Sequence, residues 1–201
     1  MRKIGCPSAT RSPTRTVTSS TSPSTRGPIS VVFSRFPRVV RDLSQKLGKK
    51  VELKLVGEGT ELDKSLIERI ADPLTHLIRN SLDHGIEMPD ARSAKGKQPV
   101  GTITLRAYHQ SGNIVIEVGD DGAGLNRQRI LAKARERGLP VPEQMTDQEV
   151  WQLIFEAGFS TAEQVTEVSG RGVGMDVVKR NINAMGGRGE IESMTGIGTR
   201  M

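Results

Sequence analysis

Apolar residues recur along this chain with two alternating periods, and the alternation outlines a layered domain. From Phe36 to Gly48, Val39, Val40, Leu43 and Leu47 follow helical spacing, and Gly48 stops the pattern. Lys50 to Gly57 alternates apolar with polar and predicts a strand. Thr60 followed by Asp63 fits a capping box opening a helix that runs to about His84, with Pro73 expected to kink or break it. "VGTITLRAYHQ" and "NIVIEVGD" predict an antiparallel hairpin turning at Ser111-Gly112. "RQRILAKARERG" predicts a helix, and Thr146 with Glu149 caps another over "DQEVWQLIFEAG". "VGMDVVKRNINAMGG" predicts a helix ending at Gly186-Gly187, and "EIESM" a short strand. Helices and strands so interleaved predict an α/β (α+β) fold, with aromatics so scarce that Ile, Leu, Val and Ala must form the core.

Residues 1–27 break this pattern. Twelve of them are Ser or Thr, with Pro7, Pro13 and Pro23 among them, too polar to bury a core. They are expected to form a disordered basic tail, followed by one domain over 28–201. An Arg- and Ser-rich, acid-free start also resembles a transit peptide, but its prolines oppose the amphipathic helix that reading needs.

Charge narrows the partners. The net charge is +6, yet eight of the 29 basic residues lie within residues 1–41, which hold no acid. The remainder carries 21 basic against 23 acidic residues. A near-neutral domain without an aromatic-interleaved basic patch is a poor nucleic-acid binder. The single cysteine, Cys6, excludes an internal disulfide framework and fits a reducing compartment. No apolar run reaches the ~18 residues of a membrane span, and no signal-peptide core follows Met1.

Four stretches carry candidate chemistry. In "HLIRNSLDHG", helical spacing puts His76, Asn80 and Asp83 on one face, with His84 at its border. An amide oxygen there could ligate Mg²⁺; a solvated face with a chance polar cluster is the plainer alternative. In "GDDGAGL", Asp120 ends a strand and precedes Gly122 and Gly124. Its carboxylate repels phosphate but accepts a hydrogen bond from an exocyclic amine such as adenine N6, and the glycines admit a ligand to the backbone. A plain Asp-Gly turn accounts for the same residues. In "SGRGVGMDVVK", Gly170, Gly172 and Gly174 precede a helix, whose free N–H groups favour phosphate. In "TGIGT", Gly-x-Gly-Thr closes on Thr199. The chain has neither a P-loop nor a dinucleotide fingerprint, zinc-ligand spacing or an EF-hand loop.

Taken in order, these motifs resemble the N, G1, G2 and G3 boxes of the ATP-binding superfamily of gyrase, Hsp90, histidine kinases and MutL. "LIFEAGFST" resembles the histidine-kinase F box. "FSRFPRVVRDL", "HLIRNSLDHGIE", "DDGAGLNRQRI", "FEAGFST" and "VSGRGVGMDVVKRNI" are together similar to the catalytic domain of the CheA family of chemotaxis histidine kinases, over Pro28 to Thr199. The resemblance implies a two-layer sandwich of helices on a mixed, largely antiparallel sheet. It implies that Asn80 ligates the Mg²⁺ bridging the phosphates of ATP, with His76, Arg79, Asp83 and His84 near them. Asp120 would hold adenine N6, with Gly122 and Gly124 beside the base. Arg129 and Lys133 would reach the phosphates, although a solvated helix face explains them as well. Gly170, Gly172 and Gly174 would form the ATP lid, and Thr199 would support the adenine pocket.

In hydrolysing members of the superfamily, the position four before the Asn is a Glu that activates water. Here it is His76, which favours transfer to a protein histidine over hydrolysis. The resemblance further implies a bacterial cytoplasmic setting with chemoreceptors, a coupling protein and response regulators as partners. The family's phosphoacceptor histidine domain, dimerisation and receptor-coupling domains have no counterpart here, so the chain by itself is expected not to autophosphorylate. The family continues after the position of Thr199 into another strand; this chain ends at Met201, so the final strand is expected to be missing. A truncated or misassembled reading of a larger kinase gene is the corresponding expectation. A stand-alone ATPase and an inactive kinase fragment are the alternatives.

Overall fold

The computed structural model describes residues 26–159 and 174–201. β1 (Arg26–Pro28) pairs antiparallel with β3 (Glu61–Asp63). Residues 1–25, the bulk of the expected tail, lie outside the described residues. Between these strands come α1 (Ser30–Phe33), α2 (Phe36–Lys46) and β2 (Val51–Val56). In α2, Phe36, Val40 and Ser44 recur every four residues and are buried.

The long helix α3 (Lys64–Asn80) is capped by Asp63, whose side chain accepts from the Ser65 N–H at 2.9 Å. The expected cap at Thr60 is not formed, because the Thr60 hydroxyl donates to the Ala107 carbonyl instead. Nor does Pro73 break the helix. Pro73 is buried, as are Ile70, Leu74, Leu77 and Ile78, and their burial outweighs the lost hydrogen bond. After Asn80 the chain widens into a π turn, Ser81–Gly85, closed by the Ile86 N–H to Ser81 carbonyl bond at 2.7 Å. Lys49 donates to the carbonyls of Leu82 and Asp83 in that turn.

The short helix α4 (Pro89–Ala94) leads to β4 (Gly101–Gln110) and β5 (Asn113–Asp120), which form the expected hairpin. Ser111 and Gly112 both have positive φ, which matches the right-handed twist of the strands. The chain continues through α5 (Arg127–Glu136), α6 (Asp147–Gln152) and α7 (Met175–Ala184). Thr146 and Glu149 form the full reciprocal capping box at the start of α6. β6 (Glu192–Met194) and β7 (Gly198–Arg200) end the chain.

The main sheet has the order β2-β4-β5-β7-β6. Only β2 and β4 are parallel; the other pairs are antiparallel. Ile103, Leu105 and Ala107 of β4 and Val118 of β5 share the buried face, on which the apolar stripe of α3 packs. The fold is thus the expected mixed, largely antiparallel two-layer sandwich. β7 is a short strand between β5 and β6, extended where Met201 and Val118 exchange two backbone bonds at 2.9 and 3.0 Å.

Leu82 joins the π turn to this core and is fully buried. Leu82→Ala is expected to destabilise the chain by about 2–5 kcal/mol, read as a lower midpoint in urea unfolding with unchanged slope. A change under half a kcal/mol would place Leu82 outside the core.

Candidate functional site

The sheet ends where three backbone turns converge. β5 runs out at Asp120, the π turn presents Gly85, and the turn between β6 and β7 closes beside both. Ala123 donates its N–H to the Gly85 carbonyl at 2.9 Å, and Gly196 donates to the Ala123 carbonyl at 2.7 Å. The loop after β5 is therefore fastened on both sides.

This fastening explains two of the glycines. A Cβ on Gly122 would lie 2.1 Å from the Gly85 carbonyl oxygen and 2.9 Å from Oδ1 of Asp120. Gly124 has φ +72°, and its Cβ would lie 2.4 Å from the Met194 carbonyl oxygen. Both must be glycine for the protein's own packing, a reason the sequence reading did not contain. Gly85 is constrained in the same way: its Cβ would meet Asp120 Oδ2 at 2.9 Å.

Asp120 sits at the centre. The Gly122 N–H donates to its Oδ1 at 3.0 Å. Burial pushes its carboxyl above the ordinary carboxylate range; hydrogen bonds from Gly122, the Ser81 hydroxyl and the Thr199 backbone oppose that rise, and Asp121 adds to it. A desolvated carboxylate with fixed donors on its protein side is an oriented acceptor for an amine donor. Thr199 faces Asp120 across the β5–β7 pairing and is itself buried, its hydroxyl 3.0 Å from that of Ser193. The Ser193 hydroxyl also accepts from the Leu125 N–H at 2.8 Å.

The end of α3 forms the second part of the site. Asn80 donates from Nδ2 to the sulfur of Met175 at 3.0 Å, which ties the last residue of α3 to the first of α7. Gly174 caps α7 and so lies beside this contact. His76, one turn earlier, is half-buried. Burial holds its imidazole below the ordinary histidine range, helped by Arg79 and opposed by Asp176 in the first turn of α7. His76 is therefore neutral at neutral pH.

The other expected residues are placed less centrally. The expected common face of His76, Asn80 and Asp83 assumed 100° per residue throughout, and the π turn alters that phase after Asn80. Asp83 lies in the turn, where its backbone carbonyl accepts from Lys49 at 2.9 Å, and His84 is exposed. On α5, the Arg129 N–H bonds the Asn126 cap and Lys133 pairs with Glu136 at 3.0 Å. Gly170 and Gly172 lie outside the described residues.

Sequence reasoning missed the residues that hold this site together: Lys49, Ser81, Gly85, Glu87, Arg92, Lys97, Asp121 and Ser193. Arg92 is buried, with 2% of its surface exposed, and bonds Glu87, Gln98 and Asp121. The paired acids of "DDG" were the one available signal, because two adjacent carboxylates at a strand end call for a cation.

Residues 69–201 match the family described as "Histidine kinase-, DNA gyrase B-, and HSP90-like ATPase". The chain is 72% identical over 172 residues to the chemotaxis protein CheA of Salmonella typhimurium, covering 86% of this chain and 26% of that protein. It is 52% identical over 175 residues to the sensor histidine kinase CheAY of Helicobacter pylori, covering 86% of this chain and 22% of that protein. It thus spans about a quarter of the length of these relatives. Among solved structures, full-length ShkA in complex with AMPPNP superimposes with a TM-score of 0.53 at 18% identity, over 88% of this chain and 30% of that one. That likeness shows the shared fold. With the family match extending from Arg69, within α3, to Met201, and so through Asn80, Asp120 and Thr199, the chain belongs to the histidine kinase-, DNA gyrase B- and HSP90-like ATPase family.

Proposed function

We propose that this chain is the Mg²⁺-ATP-binding catalytic module of a chemotaxis-type histidine kinase, which presents the γ-phosphoryl group to a histidine on a separate domain or chain. The observation that carries the reading is Asp120: a half-buried carboxylate whose Oδ1 accepts from the Gly122 N–H, set between Gly85 and Gly122 where no side chain fits. In this reading Asp120 accepts the adenine amine, and Thr199 supports the pocket from β7.

Asn80 would contribute its amide oxygen to Mg²⁺. Among the described residues no group of three or more His, Cys, Asp or Glu converges to hold a metal. A single neutral amide fits an ion whose other ligands are phosphate oxygens and water. The bound ion supplies charge neutralisation for phosphoryl transfer, a reaction that needs chiefly positioning. His76, Arg79, Asp83 and His84 would line the phosphate side, with Arg129 and Lys133 reaching it from α5. His76 stands where hydrolysing members of the superfamily carry the water-activating Glu, which favours transfer over hydrolysis. The acceptor histidine, chemoreceptors, a coupling protein and response regulators are the corresponding partners, in the bacterial cytoplasm. No helix among the described residues is long and apolar enough to cross a membrane.

Calorimetry tests this directly. Mg²⁺-ATP is expected to bind the chain, and Asp120→Ala to weaken binding about 10- to 100-fold, the equivalent of one charged hydrogen bond. Asn80→Ala should remove the dependence of affinity on Mg²⁺. A cooperatively folded chain that does not bind ATP would contradict the proposal.

The Asp120 carboxyl is expected to titrate above its ordinary value of 3.8, read from its side-chain carbon shift in NMR. Its folded pKa lies above its unfolded one. Its contribution to stability is therefore present below the unfolded value and lost as pH rises through the folded value. A titration at or below 3.8 would show that the hydrogen bonds outweigh burial.

A further inference from the structure

Two cations that the site's chemistry does not use grip the loop that follows Asp120. Arg92 Nη1 and Lys97 Nζ both donate to the Asp121 carbonyl, at 3.1 and 3.0 Å. That carbonyl shares one peptide group with the Gly122 N–H, which donates to Asp120 Oδ1. Lys97 also donates to the next carbonyl, that of Gly122, at 2.6 Å. The N–H of that second peptide group is Ala123's, and it bonds Gly85.

Each peptide group therefore has a cation at its oxygen and a site contact at its nitrogen. A charge at the carbonyl polarises the group and strengthens its N–H as a donor. It also fixes the plane of the peptide, and so the direction in which that N–H points. Glu87 holds the cations in place: its Oε1 accepts from Lys97 at 3.2 Å and its Oε2 from Arg92 at 3.1 Å. Asp121 accepts from Arg92 through Oδ2 and from the Thr102 N–H through Oδ1, at 3.1 and 2.8 Å. The loop is thus anchored to β4 as well.

We infer that Lys97, with Arg92, is a positioning residue for base recognition, acting on Asp120 through the Asp121–Gly122 peptide. The inference rests on the reading of Asp120 as the adenine contact. It adds that selectivity for a 6-amino purine depends on a lysine 23 positions before that aspartate. Arg92 shares the role but is a poor probe, because removing it would leave the buried Glu87 carboxylate short of a partner and release Asp121. Lys97 is the accessible member, with 18% of its side chain exposed.

The test compares ATP with inosine triphosphate, in which an oxygen replaces the amine, by calorimetry on the full chain. Wild type is expected to prefer ATP by on the order of 100-fold. Lys97→Met should lower that preference about tenfold, chiefly by weakening ATP. Lys97→Arg, which keeps the charge and several donors, should restore most of it. If Lys97→Met fails to melt cooperatively, Lys97→Gln, with one neutral amide donor, is read in its place. A folded Lys97 variant that loses ATP and inosine triphosphate equally would make the clamp merely structural and overturn the inference. So would a variant with the wild-type ratio. A wild type that does not distinguish the two nucleotides would instead overturn the Asp120 reading, and this inference with it.

Discussion

The hydrogen bond from the Ala123 N–H to the Gly85 carbonyl is the constraint on which the site depends. It presses the loop after β5 against the π turn after α3. At that distance Gly85 and Gly122 have no room for side chains, and the Asp120 carboxylate fills the space between them. Without this contact Asp120 would be an ordinary strand-end carboxylate in water. With it, the carboxylate is partly desolvated and held by the Gly122 N–H, the state in which an acceptor discriminates among ligands.

The contact is held from behind by cations. Lys49 holds the carbonyls of the π turn, while Arg92 and Lys97 hold those of the β5 loop. Each cation neutralises carbonyl oxygens that the turns leave outside regular secondary structure. Burying Arg92 among Glu87, Gln98 and Asp121 costs desolvation, and the multiple hydrogen bonds offset it. The result is a hydrogen-bonded wall on the Asp120 side of the site. The opposite side is set by helix packing, through Asn80 against Met175 and His76 near Asp176.

Much of this was legible in the sequence where one local interaction decides the structure. Ser111-Gly112 specifies a hairpin because Gly112 takes positive φ freely and Ser111 is a small polar turn residue, and Thr146 with Glu149 specifies a helix start by reciprocal bonds. The order of the Asn80, Asp120 and Thr199 motifs was legible as a family pattern, and the fold brings Asp120 and Thr199 face to face. What was not legible depends on distant partners. The Thr60 hydroxyl is diverted to Ala107, 47 positions away, which leaves Asp63 as the cap. The π turn depends on Lys49, 33 and 34 positions from the carbonyls it holds. The role of Gly122 depends on Gly85, and nothing in "DDGAGL" reveals that its open face is already filled by protein.

The central claim is that nucleotide is recognised where the π turn, the β5 loop and β7 meet. Amide chemical shifts recorded while Mg²⁺ and ATP are added test it most directly. The account predicts that the largest changes fall on Gly85, Gly122 and Thr199, with Asn80 following when Mg²⁺ is present. Changes confined to the outer face of the sheet, around Arg106, Tyr108 and Glu117, would contradict it.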